Sequence, residues 1–212
     1  MSGDEIQSTF ARRIEFVGVL LIALTAVLTA WTAFESSKWG GVMSIEFSTA
    51  NTLRTESVRQ SNVANRQTIV DVSLFTSYVD AVATGDTRLA DFYAERFPER
   101  LAVAVEAWES TRPLENPDAP ASPFDMSEYQ LEAADDAQRL EAEAAAASQR
   151  ARDSNQRSDN YTILTVFLAT VLLLSALSSK VDNARLQVAL VVIAAVIFVA
   201  IGIVVSQYPV EI

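Results

Sequence analysis

The sequence predicts an all-α membrane protein: three transmembrane helices, with a long antiparallel helical hairpin and a small helical tip inserted between the first and second. Three observations predict it. Residues 16–34, 161–179 and 186–205 are apolar runs without a single Asp, Glu, Lys, Arg or His, each close to the roughly 20 residues a helix needs to cross a bilayer core. Residues 42–84 contain neither proline nor glycine, so nothing local interrupts a long helix there. Small residues then recur at heptad spacing on both sides of the insert, as in the seam of two close helices.

The head, residues 1–15, places Arg12 and Arg13 just before the first span, residues 16–34. An apolar run behind two arginines is also how a signal peptide begins, but this run exceeds an ordinary signal core. Phe34-Glu35-Ser36-Ser37 offers no small-x-small cleavage site, so a retained anchor is expected. Lys180 and Arg185 lie in the short loop 180–185 between the second and third spans. With Arg12 and Arg13 they favour a cytoplasmic side for head and loop, which puts the insert outside. Lys38, Arg150, Arg152 and Arg157 flank the membrane on the insert side and pull the other way. Trp31, Trp39, Tyr161 and Tyr208 are expected to form one aromatic belt at that face. The tail, residues 206–212, follows the third span.

The insert, residues 35–160, holds 22 acidic and 12 basic residues and so most of the net charge of −11. No basic stripe is visible, so nucleic acid is not expected as a partner. The chain has no cysteine and no histidine, removing thiol chemistry, the common zinc sites and the Ser-His-Asp hydrolases. Arginine outnumbers lysine fourteen to two amid abundant alanine, the composition of a GC-rich bacterial genome. The expected location is therefore a bacterial cytoplasmic membrane, with the lipid bilayer as the first partner.

The outgoing helix of the insert is expected to reach Thr84 and stop at Gly85-Asp86, a terminator followed by an N-cap. Gly40-Gly41 either interrupts it or lets the membrane helix run straight through. The return helix is expected to start at Ser127, with Gln130 completing a capping box, and to continue into the second span. Its seam is Ala133, Ala137, Leu140, Ala144, Ala147, Ala151, Ser154 and Ser158, facing Ala50, Ser57, Ser61, Ala64 and Thr68, with Arg54 out of character. A chance stripe in an alanine-rich sequence is the alternative, since Ala142, Ala145 and Ala146 lie off the seam. Such a seam buries little apolar area per turn, so either neighbouring subunits or the membrane helices are expected to support it.

A larger core is expected in the tip, about residues 69–140. There Ile69, Val72, Phe75, Val79 and Val82 share one helix face, with Val70, Leu74 and Tyr78 beside them. A short helix carrying Leu89, Phe92, Tyr93 and Phe97 follows, then Pro98, then Leu101, Val105 and Trp108 at helical spacing. Residues 111–124 hold Pro113, Pro117, Pro120 and Pro123, which suit a surface strap rather than helix or central strand. Phe124, Met126 and Tyr129 are expected to begin the return helix.

Few residues invite chemistry. Phe92, Tyr93, Phe97, Trp108 and Phe124 either fill the tip core or line a pocket for an apolar or aromatic ligand. Glu132, Asp135, Asp136, Glu141 and Glu143 are expected on a solvated helix face, because neighbours on a straight helix point apart and do not converge on a cation. Asn116-Pro117-Asp118 suits a turn. The spacing of Glu95, Glu99, Glu106 and Glu109 alone does not support a catalytic carboxylate pair, which requires a cleft and opposed environments. No catalytic residue, metal ligand or cofactor is expected, and neither is an enzyme. Within the membrane, Thr25, Thr29 and Thr32 share one face, and Gly202 and Ser206 form a small-xxx-small pair. Both patterns fit helix packing, and the threonine stripe alternatively lines a pore among several subunits.

The Gly85-Asp86 step, with Ala81 one turn earlier, in a helical insert between a first and second membrane helix, resembles the four-helix sensor domains of bacterial chemoreceptors. The resemblance covers the insert and its two flanking helices. Those receptors continue from the second membrane helix into a cytoplasmic relay and signalling coil, whereas this chain turns within residues 180–185 and recrosses. In overall pattern it is similar to uncharacterised three-span bacterial membrane proteins with a helical insert, a resemblance that implies no activity. The functions expected are an oligomeric scaffold or interaction protein with a partner at the tip, a homo-oligomeric channel with a stalk vestibule, or a ligand-sensing subunit acting through a separate membrane partner.

Overall fold

The structure, a computed structural model, describes residues 3–181 and 183–211. Side chains are described from residue 12 onward, apart from Arg13 and Asp182, so those parts of the charge argument lie outside the described residues. Five α-helices follow one another: α1 Gly3–Thr84, α2 Thr87–Ala94, α3 Glu99–Ser110, α4 Glu132–Ser178 and α5 Ala184–Gln207. A 3₁₀ turn, Pro123–Asp125, precedes α4. There is no strand among the described residues.

Helices α1, α4 and α5 are each long and apolar enough to cross a membrane. Their outward faces are as apolar as their inward ones: on α5, Val192, Val196, Val199 and Ile203 are exposed while Val191, Ala194 and Ile201 are buried. A helix apolar on all sides is stable in lipid rather than beside water.

The chain divides into two compact units. The first comprises Met1–Ser48 and Ala147–Ile212. Its core is Leu21 and Trp39 from α1, Tyr161, Leu164, Leu168 and Val171 from α4, and Ala194 and Ile201 from α5. Small residues bring α1 and α4 together. Ser36 and Ser158 exchange hydrogen bonds, each hydroxyl donating to the other's carbonyl at 3.1 and 2.9 Å. Ala147, Ala151 and Ser154 are buried here. Gly40-Gly41 does not interrupt α1. Each glycine in a helix costs about 1 kcal/mol relative to alanine, but the flanking Ser36 and Trp39 are fixed by partners in this unit. Asn183 starts α5, its side chain accepting from the amides of Arg185 and Leu186.

The second unit is Thr49–Ala146. Ala50, Ser57 and Ala64 of α1 and Ala133, Ala137 and Ala144 of α4 are buried, and the Ser57 hydroxyl donates to the Ala137 carbonyl at 2.8 Å. Arg54, the odd member of the stripe, stays half-exposed and lies 4.0 Å from Glu141. Gly85 ends α1 at φ 75°, a conformation in which glycine has no Cβ to clash. Asp86 then caps α2 by accepting from the Leu89 amide at 3.0 Å.

Two expectations are corrected here. Helix α4 starts at Glu132, not Ser127: the Ser127 hydroxyl donates to Glu128 and the Gln130 amide to the Ser127 carbonyl, so no capping box forms. Reciprocal serine-carboxylate bonding occurs instead at Ser122 and Asp125, around the 3₁₀ turn that contains Phe124. The second correction concerns the tip face of α1. Ile69, Val72, Val79 and Val82 are exposed, Ile69 at 69%. The fully buried residue there is Asp71.

Candidate functional site

Asp71 organises the second unit. It stands every seventh residue after Ala50, Ser57 and Ala64, all buried, so the helix stripe that is packed at the small seam carries a carboxylate inward. A buried carboxylate is tolerated only when paired and hydrogen-bonded. Arg100 of α3 supplies both bonds of a fork, Nε to Oδ2 at 2.7 Å and a terminal nitrogen to Oδ1 at 2.9 Å. The Tyr129 hydroxyl adds a third at 2.9 Å. Three segments distant in sequence are thereby tied to one group. Burial raises the Tyr129 phenol above its ordinary value, and donation to Asp71 acts in the same direction.

Around this knot the rings meet edge to face, the favoured arrangement of aromatic quadrupoles. Phe75 packs against Trp108 at 5.5 Å and Phe124 at 5.7 Å. Phe124 in turn meets Tyr129 at 5.0 Å, and Tyr78 meets Phe97 at 5.5 Å. Leu101, Ala104 and Val105 of α3 are buried beside them. Of the five aromatic residues singled out by sequence, Phe97, Trp108 and Phe124 join this cluster. Phe92 and Tyr93 pair with each other, and Phe92 is half-exposed beneath the Arg96 guanidinium at 3.7 Å.

A cavity of about 450 Å³ opens beside the cluster. Tyr78, Val79, Val82 and Ala83 of α1 form one wall, and Trp108 and Glu109 of α3 another. Residues 112–115 of the strap close the rim. The Trp108 indole N–H is committed to the Pro120 carbonyl at 2.8 Å, which anchors the strap. Arg112 turns the chain at φ 53°, a left-handed conformation that disfavours any residue with a Cβ by about 1–2 kcal/mol. Leu114 beyond it is fully exposed. Tyr78 donates to Glu109 Oε1 at 2.8 Å. Burial first, then that bond and the Glu109 charge, push its phenol up to about 12.

The acidic residues of α4 singled out by sequence, Glu132, Asp135, Asp136, Glu141 and Glu143, are exposed or half-exposed. Arg139 bridges Asp136 and Glu143 on one side of α4 at 2.9 and 3.0 Å, and Asn116 accepts from the Asp118 amide in a turn. No group of three or more acidic residues suited to a metal ion occurs among the described residues.

In the first unit, Thr25 and Thr32 are fully buried and Thr29 partly so. Their hydroxyls donate to carbonyls of their own helix: Thr25 to Leu21 at 2.6 Å, Thr29 to Thr25 at 2.7 Å and Thr32 to Thr29 at 3.0 Å. Glu35, one turn further, is with Asp71 a residue that sequence reasoning missed. It is fully buried, accepts from the Glu211 amide at 3.0 Å through Oε2, and has no hydrogen-bond partner at Oε1. Trp39 and Tyr161 both donate to the Pro209 carbonyl, at 3.3 and 3.2 Å, and Tyr161 packs on Tyr208. These three members of the expected belt gather round the segment 208–211, while Trp31 pairs with Phe34.

The seam residues divide between the units. Ala137 and Ala144 are buried and Leu140 half-buried in the second, and Ala147 and Ala151 are buried in the first. No family model, curated protein or solved structure matches this chain.

Proposed function

We propose that this chain is an integral protein of a bacterial cytoplasmic membrane that acts as an oligomeric scaffold, presenting an acidic helical module to a protein partner. The module is an antiparallel hairpin of α1 and α4 inserted between the first and second membrane spans, on the extracytoplasmic side. Support for the hairpin comes from pairings that run in opposite sequence directions, Ser57 with Ala137 and Arg54 with Glu141. That register sets Ala50 opposite Ala144, both fully buried.

The observation that carries the scaffold reading is a second stripe on α1. Ile69, Val72 and Val79 are exposed and fall, with Thr76 and Ala83, at alternating three- and four-residue steps outside the apolar spans, and exposed Val58 lies eleven residues earlier in the same phase. Heptad-spaced aliphatic residues facing water are suited to another helix. We assign this stripe to self-association. Replacing Ile69 and Val72 with glutamate tests it: the oligomer should dissociate while helicity is retained, and an unchanged size would remove the stripe from the interface.

A second reading, ligand sensing through a separate membrane partner, is favoured by the cavity at Tyr78 and Trp108, whose volume lies within the roughly 300–1,000 Å³ of small-molecule sites. The channel reading has weaker support, because Thr25 and Thr32 are enclosed within one chain and bond to their own backbone.

A further inference from the structure

We propose that the cavity beside Trp108 binds a small organic cation: an aromatic or branched aliphatic body carrying one ammonium group. The proposal rests on the ligand-sensing reading and gives its ligand a chemical class. The body is specified by the walls. Val79, Val82 and Ala83 of α1 and Pro113 and Leu114 of the strap offer carbon side chains, and Trp108 and Tyr78 add aromatic surface. Because the indole N–H is already bonded to Pro120, Trp108 offers the ligand its ring and no donor.

The head group is specified by charge. Glu109 and Glu115 line the cavity against one cation, Arg112, which is 3.9 Å from Glu115. The surplus negative charge is therefore at Glu109. Its Oε1 accepts from Tyr78, which fixes the carboxylate at the wall, and a carboxylate has lone pairs for further donors. An ammonium placed there gains a charge-assisted hydrogen bond and lies near two aromatic rings whose faces attract cations. An anion meets the same carboxylate as repulsion, and the chain's net charge of −11 enriches cations around it.

The test uses the full chain in lipid nanodiscs with three probes of one shape: 2-phenylethylammonium, 2-phenylethanol and 3-phenylpropanoate. Binding is read by saturation-transfer NMR and titration calorimetry on wild type, Glu109→Gln, Val82→Trp and Ala83→Phe. Val82 and Ala83 are exposed on α1, so either larger side chain fills the cavity without entering the core, and one serves if the other perturbs folding. The expected result is that the ammonium binds at least tenfold more tightly than the carboxylate. Glu109→Gln weakens it at least fivefold, and the cavity-filling variants abolish it. Equal or tighter binding of the alcohol or carboxylate, still lost on filling the cavity, overturns the cationic class and leaves ligand sensing standing. Absence of any binding sensitive to Val82→Trp or Ala83→Phe overturns both.

Discussion

Asp71 shows how one polar residue fixes a helical tip. Removing a single partner of a buried ion pair leaves the other charge uncompensated, so Asp71→Ala should lower stability by about 3–5 kcal/mol, measured by chemical denaturation of the nanodisc-held protein. Replacing the pair by apolar residues of similar volume, Asp71→Leu with Arg100→Met, should recover most of that loss, because desolvation of both charges disappears together. Tyr78 predicts a pH dependence. Its neutral form is favoured in the fold, with the phenol raised from 10.0 to about 12. Its contribution to stability is complete below pH 10 and declines as pH rises from about 10 to 12. Tyr78→Phe should flatten that part of the alkaline unfolding profile. At Glu35, the bond to the Glu211 amide predicts that Glu35→Leu speeds hydrogen exchange at that amide while Glu35→Gln, which keeps the acceptor, leaves it slow.

At the scale of elements, the close approach of α1 and α4 in the second unit depends on small side chains. Ala144 has no exposed surface, so Ala144→Leu should cost about 1–3 kcal/mol by overpacking, whereas Ala145→Leu, on the exposed side, should be nearly neutral in the same denaturation experiment. The three apolar helices were legible because length and the lack of charge are local properties. The stop at Gly85-Asp86 and the strap of residues 111–124 were legible for the same reason, since φ preferences and proline act within a few residues. The face of α1 in the tip was not. Counting apolar residues selected Ile69, Val72, Val79 and Val82, but the helix's orientation follows the seven-residue step from Ala50 to Asp71 and the fork offered by Arg100. A buried aspartate whose partners lie in α3 and before α4 has no signature in its own neighbourhood. The start of α4 was misplaced similarly, because Tyr129 is bonded to Asp71 and the chain before Glu132 is not helical there. Glu35 was read as the first residue beyond the span, and only the packing of segment 208–211 reveals it as buried.

The whole molecule combines apolar helices that need lipid with a helix segment that carries exposed aliphatic residues outside the apolar spans. Both kinds of surface ask for neighbours, lipid for one and protein for the other. The central claim is that the second surface is met by other copies of the chain. Its most direct test is the native mass of the protein released from nanodiscs, compared with the Ile69→Glu, Val72→Glu double variant. A dimer or larger assembly that falls to a monomer in the variant is the predicted result. A wild-type chain that is already monomeric would contradict the account.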